Sequence, residues 1–165
     1  MRRRYDTALA RERLTMMREL LPDAAIGTDV IAGFPGEDEA AFERTLAFVA
    51  ASPFTYLHVF PFSVRTGTTA AKLDGRVLPA AVTERAHRLR ALGDRKRAAF
   101  ARRFDGVESE VLVETTRDPQ TDDLRGYTPN YLRARLAGPD GWRGRRVRAR
   151  LAVRAGGQVH ATAVT

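Results

Sequence analysis

The chain has 165 residues, 44% of them hydrophobic, enough for one medium domain or two small ones with buried cores, so general disorder is excluded. It contains no cysteine, which excludes disulfides, thiolate metal sites and any iron–sulfur cluster ligated by this sequence. A net charge of +8 points to a polyanionic partner, and no stretch approaches the ~20 apolar residues that a membrane span needs.

The opening Met1-Arg2-Arg3-Arg4-Tyr5 is basic, but no apolar stretch follows it, so no secretory signal is expected and the cytoplasm is the expected location. Asp6 or Thr7 caps a first helix with an apolar stripe of Leu14, Met17 and Leu21, stopped by Pro22. Residues 24–32 form an apolar run interrupted by Thr28 and Asp29 that reads as a buried parallel strand. Phe34-Pro35-Gly36 is a turn. Asp38 caps the next helix, with Glu39 and Glu43 in its first turns and Phe42, Leu46 and Val49 at helical spacing. Ser52-Pro53 ends it, and residues 54–62 read as a second buried strand. A loop containing Gly67 and Gly75 leads to Pro79, which opens a long helix to about Phe104. Val82, Leu89, Leu92, Ala99 and Phe100 form its inner stripe, with Arg85, Arg88, Arg95 and Arg102 facing out. Gly93 weakens this helix by ~1 kcal/mol relative to alanine and marks a kink or a close packing contact.

At Gly106 helical periodicity gives way to period-two alternation, which places a domain boundary near Asp105-Gly106. Residues 108–115 are one strand. Leu132, Ala134 and Leu136 alternate with Arg133 and Arg135, and Val147, Ala149, Leu151 and Val153 alternate with Arg146, Arg148, Arg150 and Arg154. Residues 158–164 alternate again, and turns fall at Asp118-Pro119, Gly138-Pro139-Asp140-Gly141 and Gly156-Gly157. Four or five short strands without a helix predict a small closed barrel of the OB type. Residues 1–105 amount to two βα units behind a leading helix. Two parallel strands cannot close a barrel or be covered on both faces by this chain alone, so these units are expected to pack on something outside it.

Two stretches carry candidate chemistry in the first part. Thr28-Asp29-Val30-Ile31-Ala32-Gly33-Phe34-Pro35-Gly36-Glu37 and His58-Val59-Phe60-Pro61-Phe62-Ser63-Val64-Arg65-Thr66-Gly67-Thr68 each break from an apolar run into a polar Gly/Pro turn. That is how a parallel strand brings its tip to the mouth of an α/β barrel. The Gly33 backbone could lie against a planar ligand while Thr28 or Asp29 bonds a sugar or amine; a turn built for geometry alone reads equally well. Arg65 could clamp a carboxylate or phosphate, or be a surface arginine. His58 reads as a satisfied core or rim histidine.

The second part carries charge. Six arginines and no acid lie between Arg143 and Arg154, and eight basic residues against three acids lie between Pro79 and Asp105. Every second strand residue shares a face, so Arg146, Arg148 and Arg150 project together, as do Arg133 and Arg135. With Tyr127, Tyr131 and Trp142 nearby, such a wall suits RNA; the alternative is a solvated face with the aromatics in the core, and Trp142 reads as structural. No nucleophile–base pair, phosphate loop or metal-ligand cluster is present.

The two strand-tip stretches, with Thr69-Ala70 after the second, resemble the C-terminal part of the radical-SAM methylthiotransferases. Gly126-Tyr127-Thr128-Pro129-Asn130-Tyr131 is similar to the motif of the TRAM domain that closes these enzymes, and Met1–Tyr5 resembles a stretch before their fourth barrel helix. The wording His-Val-Phe-Pro-Phe-Ser is most similar to the branch acting on N6-threonylcarbamoyladenosine at tRNA position 37, ahead of the isopentenyladenosine and ribosomal-protein branches. The resemblance implies a partial radical-SAM barrel over residues 1–105 and a TRAM barrel over 106–165. It implies methylthiolation of an adenine C2 with S-adenosylmethionine and two [4Fe–4S] clusters. Thr28, Asp29, Ile31 and Gly33 would line the S-adenosylmethionine pocket, with Phe60, Ser63 and Arg65 at the next strand tip. Arg133, Arg135, Arg146, Arg148, Arg150 and Tyr131 would grip tRNA. The family's N-terminal cluster-binding portion and its CxxxCxxC loop are not in this sequence, so the chain is expected to be inactive alone, with that portion as a partner. The rival reading is a non-catalytic RNA-binding adaptor.

Overall fold

The computed structural model describes residues 6–164; the Met1–Tyr5 stretch, and the resemblance read there, lie outside the described residues. The chain separates into two compact units, Met1–Asp94 and Arg95–Thr165. The first holds α1 (Thr7–Leu20), β1 (Gly27–Ala32), α2 (Glu39–Ala51), β2 (Tyr56–Pro61) and most of α3 (Pro79–Arg102), with a short 3-10 turn at Thr69–Lys72. The second holds β3 (Glu108–Arg117), β4 (Leu124–Tyr127), β5 (Arg133–Leu136), β6 (Arg146–Val153) and β7 (Val159–Ala163). No helix among the described residues is long and apolar enough to cross a membrane.

The caps in the first unit form as their chemistry dictates. The Asp6 carboxylate accepts the Leu9 N–H at 2.9 Å and Asp38 accepts the Ala41 N–H at 2.6 Å, each satisfying an orphan donor at a helix start. β1 and β2 pair in parallel from Gly27↔Tyr56 to Ala32↔Pro61. The buried Thr55 hydroxyl takes the Ile26 N–H at 3.0 Å and locks the entry to both strands. Arg18 donates to the carbonyls of Pro22, Ala24 and Pro53 at 2.7, 2.9 and 3.1 Å, joining the two connections that lead into the strands.

One face of the β1/β2 sheet is the core. Val30, Ala32, Leu57 and Val59 pack there with Phe42 and Val49 of α2 and Ala86, Leu89 and Leu92 of α3. Fully burying side chains of this kind contributes ~1.5–3 kcal/mol each. Gly93 is the close contact anticipated for α3: a Cβ there would stand 3.3 Å from Leu57 Cβ. The expectation that both strands are buried does not hold. Both helices that follow the strands cover the same face, so Asp29, Ile31, His58 and Phe60 on the other face are exposed. Arg85 corrects the reading of α3, because it is buried at 6% exposure instead of facing out.

The small closed barrel expected from the alternation is present, with strand order β3-β4-β5-β7-β6. All neighbours are antiparallel except β5 and β7. Val111, Val113, Leu124, Ala134, Leu136, Ala149 and Leu151 fill it, each at most 1% exposed. β4 is the strand that alternation did not single out. Its four residues include Gly126, where a Cβ would come within 2.5 Å of the Leu112 carbonyl oxygen, so only glycine lets β4 approach β3.

Candidate functional site

Parallel pairing puts the C-terminal ends of β1 and β2 side by side. Just past them the Phe62 N–H reaches the Ala32 carbonyl at 2.8 Å, and the rings of Phe34 and Phe62 meet edge to face at 5.4 Å. The Gly33 turn is tied to the following loop by the Gly36 N–H, which bonds the Gly75 carbonyl at 2.8 Å. The two strand-tip motifs, about thirty residues apart in sequence, thus converge.

Alternation then sorts the candidate residues by face. Asp29 and Ile31 stand opposite His58 and Phe60, their register partners, on the open face. Tyr56 lies on the same face, its ring edge-on to His58 at 5.4 Å. Ile31 is 36% and Phe60 50% exposed, so this face offers apolar area next to a carboxylate and an imidazole. That combination suits a planar ligand with polar substituents. His58, expected in the core or at the rim, is exposed and belongs to the group. Thr28 is half-buried near the start of β1, where it lines an open cavity with Gly27, Asp29, Tyr56 and His58, its hydroxyl 3.5 Å from the Asp29 carbonyl. Ser63 and Arg65 are exposed on the loop beyond β2.

Gly33 adopts φ +79°, and a Cβ there would lie 2.4 Å from Val82 Cγ2 of α3. Its N–H donates to Glu37 Oε2 at 2.7 Å. The glycine is therefore required by the backbone and by α3. Glu37 is the residue whose role the sequence reading missed. Its carboxylate also receives Arg85 at 3.0 Å, while Arg85 donates to the Glu37 carbonyl at 2.8 Å and to Glu39 at 3.0 Å. The Arg85 guanidinium lies 5.3 Å from the Phe42 ring centroid. Arg88 continues the network to Glu39 and Glu43. The Arg85 hydrogen bond holds the Glu39 carboxyl below its ordinary value. The signal for this clamp was available: Arg85 sits three residues after Val82 and four before Leu89, on the inner stripe of α3.

In the barrel, Arg146, Arg148 and Arg150 project outward from β6 with side chains 73%, 72% and 62% exposed. β3 opposes them with two acids. Glu108 accepts Arg150 at 2.7 Å and lies 3.1 Å from Arg148, and Glu110 lies 3.6 Å from Arg146. Chiefly through the Arg150 hydrogen bond, the Glu108 carboxyl is held below its ordinary value. On β5, Arg133 is exposed and makes no ion pair among the described residues. Arg135 is tied to the buried carboxylate of Asp118 at 3.0 Å. Hydrogen bonds from the Gln120 N–H, aided by Arg135, hold the Asp118 carboxyl low.

Tyr131 has φ +67° and is 68% exposed. A bulky residue in that region costs roughly 1–3 kcal/mol. The loop enforces it: the Thr128 carbonyl takes the Tyr131 N–H at 2.9 Å, the Thr128 hydroxyl takes the Leu132 N–H at 3.0 Å, and the Thr128 N–H bonds the Leu132 carbonyl at 3.0 Å. The ring rests against Tyr127 with centroids 5.1 Å apart. Trp142 is half-buried against Gly138, in keeping with a structural role.

No protein-family model matches the chain. It is 35% identical over 153 residues, 92% of its length, to the threonylcarbamoyladenosine tRNA methylthiotransferase of Bacillus subtilis, of which it covers 34%. It is 34% identical over 151 residues to the tRNA-2-methylthio-N(6)-dimethylallyladenosine synthase of the same organism, covering 92% of this chain and 30% of that protein. The enzyme of that name from Parafrankia is 42% identical over 131 residues, 75% of this chain and 26% of its own length. The chain thus spans about a third of the curated relatives it matches. A folded core bearing these motifs in order, with homology over nine-tenths of its residues, places the chain in the radical-SAM methylthiotransferase family. The three relatives named above are all tRNA-modifying methylthio enzymes by name.

Proposed function

We propose that this chain contributes the tRNA-holding barrel and one wall of the cofactor site to a tRNA methylthiotransferase. The substrate assigned by the motif wording is the C2 position of N6-threonylcarbamoyladenosine at tRNA position 37. Residues 106–165 act as a TRAM-type barrel of the OB kind, and residues 1–105 as staves of an α/β barrel. The single-sided cover of β1 and β2 supports the second assignment, since an α/β barrel puts its helices on one face of the strands and turns the other inward, with ligands at the C-terminal strand ends. The observation that carries the function is the outward row of Arg146, Arg148 and Arg150 on a closed barrel, in a chain homologous to tRNA methylthiotransferases.

The cofactors divide on the donors present. S-adenosylmethionine fits the open face in part: Ile31 and Phe60 would take apolar surface of the adenosine, and Asp29 a ribose hydroxyl or the ammonium. Ser63 and Arg65 would approach from the loop, Arg65 pairing with a carboxylate. When bound, this group supplies the methyl and the radical source for the family's reaction. Gly33 serves by holding the turn through Glu37. The [4Fe–4S] clusters do not fit this chain, which has no cysteine and, among the described residues, no group of three metal-ligating side chains. Their thiolates would come from polypeptide outside this sequence, such as the family's N-terminal cluster-binding portion. The lack of thiolates equally favours a second reading, a non-catalytic RNA-binding adaptor. Polypeptide carrying CxxxCxxC that co-purifies with residues 1–165, in the same chain or a separate one, decides for the enzyme.

Filter binding of the whole chain to tRNA across a salt series tests the central claim. Replacing Arg146, Arg148 and Arg150 together by glutamine should flatten the log–log salt slope by about one unit for each arginine that meets a phosphate past Glu108 and Glu110, three at most. An unchanged slope would remove this row from the interface.

A further inference from the structure

The barrel wall carries a second feature, one rung away from the arginine pairs with Glu108. Leu112 of β3 is the register partner of both Arg146 on β6 and Tyr127 on β4, and Tyr127 is in turn the partner of Arg133 on β5. All four side chains point outward, from four consecutive strands of the closed barrel. Strands lie ~4.8 Å apart, so Arg133 and Leu112 each stand one strand from Tyr127, while the closure of the barrel turns Arg146 away from them. Leu112 is 52% exposed, and the Tyr131 ring rests on that of Tyr127, tilted by 34°.

Burial does not account for Tyr131, which keeps most of its ring in water, and backbone preference does not either, since its φ is positive. A loop that imposes a strained backbone in order to present an exposed ring points to a ligand for that ring. The Arg133 cation one strand from the ring pair selects an anionic chain, and the exposed aromatic surface selects one whose bases are unpaired, since a duplex keeps its base faces covered. We infer that the Tyr127–Tyr131 platform, flanked by Arg133, is a stacking subsite for an unpaired nucleotide of a single-stranded RNA segment. The inference rests on the tRNA-binding reading above and adds to it the conformation of the RNA that this wall recognises.

The test uses the whole chain and two probes of equal length, a fluorescently labelled oligoadenylate and a blunt RNA duplex, read by anisotropy. Tyr131→Gly is the informative variant, because glycine tolerates φ +67° and removes the ring, so thermal stability should hold or rise. Its affinity for the oligoadenylate should fall about 5- to 100-fold, with the duplex and the salt slope unaffected. Tyr131→Phe should retain binding, and Tyr127→Ala should behave as Tyr131→Gly does. If the wild-type chain binds tRNA but Tyr131→Gly leaves the oligoadenylate affinity unchanged, or weakens both probes alike, the stacking subsite is refuted while the tRNA reading stands. If the wild-type chain binds neither probe nor tRNA, both fall.

Discussion

Glu108 shows how far a single residue modulates the interface. It faces Arg148 and Arg150 at once and stays ionised below the usual carboxylate range. Any phosphate approaching that end of the row must compete with it. Glu108→Gln should therefore tighten tRNA binding several-fold and steepen the salt slope by about one to two units, as two guanidinium groups become free for phosphate. Filter binding at several salt concentrations checks this, and an unaltered slope would mean that the acid does not compete. The arginine row was legible from alternation alone, but Glu108 and Glu110 were not assigned as its partners, because period two gives the face of a residue and not its cross-strand register. Arg85 teaches the opposite lesson. Its place on the inner stripe of α3 was fixed by periodicity, yet its charge argued for the surface. Burial wins because Glu37 and Glu39 neutralise it and the Phe42 ring packs on it.

At the scale of elements, that clamp connects α3 to the turn after β1. Arg85 and Glu37 side chains are 7% and 11% exposed, so removing one partner strands a buried charge. Arg85→Ala should cost about 3–5 kcal/mol in urea unfolding of the first unit, leaving the Glu37 carboxylate with the Gly33 N–H but without its cation. A loss under 1 kcal/mol would show that Glu37 finds water in place of Arg85. The helices and the two parallel strands were readable because each has its own signals: aspartate caps at Asp6 and Asp38, Pro79 at a helix start, apolar runs between glycine and proline turns. β4 was not, because four residues with a glycine inside them carry too short an alternation to register. Its existence depends on β3 and β5 supplying partners on both sides. The extent of burial of β1 and β2 was also misread, since apolar runs do not reveal how many faces are covered.

At the scale of the whole molecule, the exposed Ile31 and Phe60 leave apolar area unprotected beside Asp29 and His58. Replacing both Ile31 and Phe60 by serine should reduce the fluorescence of an apolar dye bound to the chain, while unfolding free energy changes by little more than the ~0.5 kcal/mol typical of each surface substitution. A large loss of stability would mean that this face is packed after all. The strand order of the two units has a further consequence. A ring of five strands has neither a first nor a last member, so it presents no edge strand to which a foreign one can be annexed. Among the described residues, no strand pairs with either flank of the β1/β2 ribbon. Growth of the sheet, whether by strands of another polypeptide or by wrong pairing between copies, therefore begins at that ribbon and spares the closed ring.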